Sequence, residues 1–123
     1  MLIQGPLGRT VSEARRATGR RVHLIGHSLG GVLARSLAVQ RPRDVASVIT
    51  LASPFQGAVV NSDVALETAL VRGIILLRHG NRVLPACYTE GCTCKFMDSL
   101  RGRFPAAVKQ TAIYTRNDGV VDW

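Results

Sequence analysis

The run Arg21-Val22-His23-Leu24-Ile25 ends directly on Gly26-His27-Ser28-Leu29-Gly30-Gly31, and this junction restricts the fold more than any other stretch of the chain. The run is short and apolar, as a buried strand is. The next stretch reads as a helix: apolar residues recur at Leu29, Leu33 and Leu37, the pattern carries on to Arg41, and Pro42 stops it. A strand that reverses into a helix within two residues needs neighbouring backbone to pass close by, which glycines on either side permit. Ser28 stands at the apex of that Gly-x-Ser-x-Gly turn, its backbone strained and its hydroxyl pushed outward.

The rest of the chain supplies a sheet for that strand to join. A second strand is predicted at Val45-Ala46-Ser47-Val48-Ile49-Thr50-Leu51-Ala52 and a third at Thr111-Ala112-Ile113-Tyr114-Thr115. Strand, helix, strand is a βαβ unit, and right-handed crossovers make its strands parallel. Parallel strands are normally covered by helices on both faces. Thr10-Val11-Ser12-Glu13 has the form of a capping box, and Gly19 ends the short helix it opens. The segment 62–78 is almost wholly apolar and predicts a buried or half-buried helix, with packing favoured over a mobile cover. The expected class is α/β: a three-stranded parallel sheet core with flanking helices, in one domain over residues 1–123.

Ser28 does chemistry only if something takes its proton, because an alcohol is a weak nucleophile at neutral pH. A histidine oriented by a carboxylate is the usual arrangement. Asp118, in Asn117-Asp118-Gly119, comes a few residues after the third strand, so a turn sets it at the strand's carboxyl end beside Ser28. Asp122 is the runner-up, and Asp63 a weaker alternative. Leu29, next after the serine, can offer its backbone N–H to a developing oxyanion. His23 lies inside a strand, His27 is adjacent to Ser28 with its ring directed away from the hydroxyl, and His79 falls in a loop. All three precede Asp118.

These residues together resemble the α/β-hydrolase family, and within it the lipases and esterases whose elbow reads Gly-His-Ser-Leu-Gly-Gly. The run from Ala112 to Trp123 is similar to the acid-bearing segment of bacterial lipases, and Ser53-Pro54-Phe55-Gln56-Gly57 to a loop that shapes the pocket wall in such enzymes. The resemblance implies a partial α/β-hydrolase fold, with Ser28 as nucleophile on an elbow formed by Gly26, His27 and Gly30, Asp118 as the acid and Leu29 in the oxyanion hole. It also implies the chain order serine, acid, histidine and a domain about twice this length, given eight or so strands with their crossovers. The catalytic histidine and the second oxyanion donor are therefore expected outside these 123 residues, and turnover by them alone is expected to be negligible. The function so implied is that of a serine carboxylester hydrolase whose parent enzyme takes an ester or lipid substrate. The alternative is a non-catalytic hydrolase remnant that binds an acyl ligand, or a complementing partner chain through the edge of its sheet.

Composition narrows the partners. The net charge of +8 comes from 16 basic against 8 acidic residues, most of the basic ones arginines scattered singly or in pairs, which reads as a solvated surface. Aromatic residues make up only 5%, too few for base stacking, so no nucleic acid is expected. No stretch approaches the ~18 apolar residues of a membrane span. Residues 1–8 lack the apolar core of a signal peptide. Cys87, Cys92 and Cys94 lack the paired C-x2-C knuckles of a zinc site; a disulfide from Cys87 to Cys92 or Cys94 is the expectation if the protein is exported. In the relatives it resembles, a further cysteine comes soon after the Asp-Trp pair, which is compatible with a secreted parent. No metal and no cofactor is expected.

Overall fold

The computed structural model of the chain describes residues 4–53, 77–78 and 95–115. In order these form α1 (Gln4–Thr18), β1 (Val22–His27), α2 (Leu29–Gln40), β2 (Val45–Leu51), α3 (Lys95–Arg101) and β3 (Lys109–Ile113). The strands make one parallel sheet in the order β1-β2-β3, as the strand-helix-strand spacing requires. β3 starts two residues earlier than its apolar pattern predicts, because Lys109 and Gln110 pair with Ser47 and Val48.

The first helix begins at Gln4, well before the predicted cap at Thr10. Pro6 is no obstacle there, since the first helical turn has no intrahelical use for its missing N–H. The Thr10 hydroxyl donates one turn back to the Pro6 carbonyl at 3.2 Å instead of capping. Gly19 ends the helix as expected: its φ of +66° is left-handed, and its N–H reaches the Arg15 carbonyl at 2.8 Å.

The core lies between α2 and one face of the sheet. Register sets Leu24 beside Val48 and Gly26 beside Thr50, so the even-numbered side chains of β1 and β2 face the helix. Val45, Val48 and Ala38 are fully buried, joined by Ala34, by Val11 of α1 and by Val108 just before β3. Each buried valine contributes on the order of 1.5–3 kcal/mol relative to exposure. Helix α3 is fastened to α2 by a polar chain in which Gln40 donates to Ser36 at 2.9 Å, Ser36 to Ser99 at 2.5 Å, and Ser99 to the Phe96 carbonyl at 2.6 Å. Every hydroxyl in it is satisfied, so its burial carries no orphan penalty. Beyond the register shift that follows the Val22–Val45 pair, odd-numbered residues form the other face, where His23 and Ser47 hydrogen-bond at 2.8 Å and Ile25 is 70% exposed. The predicted helix 62–78 lies outside the described residues except for Leu77 and Arg78, which are helical.

At the end where the strands begin, Arg21 donates to the carbonyls of Pro42 at 3.2 Å, Ala107 at 2.9 Å and Val45, tying the entrances of all three strands together. Asp44 accepts from Ser12 at 3.3 Å and pairs with Arg15 at 3.3 Å, joining α1 to the turn before β2.

Candidate active site

The three strands finish level with one another: His27 pairs with Leu51, and Leu51 with Ile113. The segment after each strand therefore emerges at one edge of the sheet, where ligands meet open α/β sheets. At that edge Ser28 has φ 51° and ψ −124°, a backbone state that costs a residue with a Cβ on the order of 1–3 kcal/mol. Tertiary hydrogen bonds hold it. The Ser28 N–H donates to the Leu51 carbonyl at 2.8 Å, and the Gly31 N–H to the Ser28 carbonyl at 3.0 Å.

A second strained residue stands beside the first. Ala52 has φ 43°, and its N–H donates to the Ile113 carbonyl at 2.9 Å. This turn aims the next side chain inward. Ser53 is 1% exposed and donates to the same Leu51 carbonyl at 3.0 Å. One carbonyl thus anchors the Ser28 peptide and the Ser53 hydroxyl together.

The glycines divide by what a side chain would meet. A Cβ on Gly26 would lie closer than 3.0 Å to the backbone of Gly30 and Gly31, and one on Gly31 would strike Ser53, whose Cβ is 2.8 Å away. A Cβ on Gly30 meets nothing within 4 Å. Of the two glycines in the pentapeptide pattern, Gly26 is thus the crowded one and Gly30 the open one, while Gly31, just outside the pattern, is crowded as well. Ala52 is the site residue that sequence reasoning missed; Ser53 was read only as the start of a pocket-wall loop and Gly31 only as the second of a doubled glycine, without the contact between them.

Gly31→Ala is expected to cost about 2–3 kcal/mol by overpacking. In a Ser53→Gly background the same change should cost at least about 1 kcal/mol less, because the obstructing side chain is gone while the Gly26 carbonyl, 3.1 Å away, remains. A double-mutant cycle by urea unfolding measures this coupling. Additivity to within about 0.5 kcal/mol would disprove the contact.

Leu29 and Gly30 open α2, so their N–H groups have no carbonyl one turn back within the helix and, among the described residues, stand available beside Ser28. An apolar groove of about 460 Å³ reaches Gly30 from between α1, β1 and α2, lined by Leu7, Val11, Leu24, Leu33 and Leu37 among others. His23 is not brought to the serine: it sits about 16 Å down the strand, at ~3.3 Å per residue, and bonds Ser47. His27 is exposed. Asp118, Asp122, Asp63, His79, the three cysteines and residues 54–57 lie outside the described residues. Among the described residues no three His, Cys, Asp or Glu side chains gather as a metal site would require, and no helix is long and apolar enough to cross a membrane.

A left-handed serine between the end of a parallel strand and the start of a helix, on a sheet packed by that helix, is the arrangement of the α/β-hydrolase superfamily. Comparison with known proteins makes the assignment narrower: residues 8–72, more than half of the chain, match the PGAP1-like alpha/beta domain, and the chain belongs to that family of α/β hydrolases. It is 31% identical to a triacylglycerol lipase of Pseudarthrobacter phenanthrenivorans over 92% of its own length and 38% of that protein's. A triacylglycerol lipase of Burkholderia plantarii is also 31% identical, over 92% of this chain and 34% of its own. The chain thus spans little more than a third of the curated relatives it matches. No solved structure matches it significantly.

Proposed function

We propose that the chain carries the nucleophile half of a serine carboxylester hydrolase acting on lipid-type esters. The observation that supports this best is the backbone of Ser28, held at φ 51° by hydrogen bonds from both sides with the helix-start N–H groups of Leu29 and Gly30 next to it. Ser28 Oγ attacks the ester carbonyl carbon as a histidine takes its proton. The Leu29 N–H donates to the oxygen that becomes negative. The carbon–oxygen bond breaks, the alcohol leaves with the proton returned by the imidazolium, and water releases the acyl group by the same route. Asp118 holds the imidazole in orientation, and the histidine belongs to a part of the enzyme that these 123 residues do not include. Glyceride esters as substrates rest on the names of the two relatives.

The chain is tested by grafting it in place of the matching segment of the Pseudarthrobacter lipase. The graft should hydrolyse a p-nitrophenyl ester and take up a fluorophosphonate at Ser28. The 123 residues alone should stay well below about 1 s⁻¹. Labelling of the folded graft at any residue other than Ser28 would sink the assignment. A second reading, a remnant that holds an acyl ligand without turning it over, is favoured by the apolar groove that reaches Gly30. Acyl-chain binding by a graft that neither labels nor turns over would support it.

A further inference from the structure

The arginine pairs that look scattered along the chain are gathered by the parallel topology. Arg20 and Arg21 enter β1, Arg41 and Arg43 enter β2, and Arg101 and Arg103 precede β3. Parallel strands all begin at one edge, so these three pairs stand side by side, with adjacent strands about 4.8 Å apart. Two contacts fix the grouping: Arg21 bonds the carbonyls of Pro42 and Ala107, and Gly102 abuts Val39 near the end of α2. Arg15 and Arg16 in the last turn of α1 stand at the same end.

Part of this charge has local work. Arg15 and Arg41 pair with Asp44, Arg101 lies 4.0 Å from Asp98, and cations suit the negative ends of helices. Arg20, Arg43 and Arg103 lie beyond the helix ends and are exposed, and among the described residues no carboxylate pairs with them. Among the described residues at the opposite end, His27, Leu29, Ala52, Ser53, Tyr114 and Thr115 include no carboxylate, arginine or lysine.

From this cluster of exposed cations we infer that the strand-entry end is a docking surface for a bilayer bearing anionic phosphate headgroups. The cations sit on loops and helix ends, which suits a flat sheet of charge. A duplex reader would present the side of a helix or a ribbon to a groove, whereas here the helices meet this end tip-first. Single-strand binding would need exposed aromatic rings, and Phe104, beside Arg103, is half-buried with the Arg35 guanidinium 5.4 Å from its ring centre. Docking this way leaves Ser28 at the far end of a six-residue strand, about 20 Å from the headgroups.

The test is co-sedimentation of the full chain with vesicles of phosphatidylcholine containing about a third phosphatidylserine. Each surface arginine contributes about 1 kcal/mol, or about fivefold, so R43S/R103S should weaken partitioning by about 25-fold. A charge-matched variant, R9S/K95S, alters the parts of α1 and α3 away from that end and should lose less than about threefold. Binding to the anionic vesicles should fall steeply with salt, and S28A should leave it unchanged whatever becomes of the hydrolase reading. Unfolding midpoints check that each variant is folded. Equal losses in the two double variants, equal binding to pure phosphatidylcholine, or displacement from the vesicles by duplex DNA at the same phosphate concentration would each overturn the inference.

Discussion

Replacing Ser28 with alanine should lower ester hydrolysis by the grafted enzyme at least about a thousandfold and abolish fluorophosphonate uptake, with little change in binding of a non-hydrolysable ester analogue. Removing the nucleophile of a working triad costs up to about 10⁶ in rate, the remainder coming from oxyanion stabilisation and binding. The loss of activity should not come from unfolding. Alanine keeps the Cβ and the backbone hydrogen bonds of Ser28 to Leu51 and Gly31, and the hydroxyl makes no cap hydrogen bond to α2. S28A should therefore unfold within about 0.5 kcal/mol of the parent. A variant that retains more than about a tenth of the activity would show that another residue is the nucleophile.

Gly26→Ala and Gly30→Ala, four residues apart in one motif, should move stability in opposite directions. A methyl on Gly26 drives into the peptide between Gly30 and Gly31, closer than 3.0 Å to backbone that belongs to the first turn of α2. Backbone there cannot swing aside as a side chain would, so α2 must lift from β1. That exposes part of the Ala34, Ala38 and Val48 packing, and we expect a loss of about 3 kcal/mol or more. Gly30 lies inside the helix with nothing within 4 Å of its would-be Cβ. Alanine there removes backbone freedom from the unfolded chain and should stabilise by about 0.5–1 kcal/mol. Urea unfolding of the two variants decides the matter, and destabilisation by Gly30→Ala would show that the open side of the turn is filled.

Much of the fold was legible because it is local. The helix after Ser28 is signalled by its apolar spacing and by Pro42, and the strand before it by five residues of pattern. Boundaries that depended on a partner were read less well. α1 begins six residues before the capping box because nothing in Thr10 obliges the helix to start there, and β3 begins at Lys109 because β2 offers it partners. The strand-to-helix turn that carries Ser28 and the Leu29 N–H could be read from order along the chain alone.

By itself the sequence determined that a strand turns sharply through Ser28 into a helix, and that two further apolar runs can pair with that strand. Those facts come from side-chain period and from where glycine and proline fall. Only the tertiary structure decided that Gly31 must be small while Gly30 need not be, since the obstacle is Ser53, 22 positions away in the chain. It alone decided that Leu51 holds the Ser28 amide and that arginines from three separate connections share one end of the sheet. The physical reason is common to all three: parallel pairing puts the starts of distant segments at one edge and their finishes at the other, and no pattern within a segment records which neighbour it will meet there.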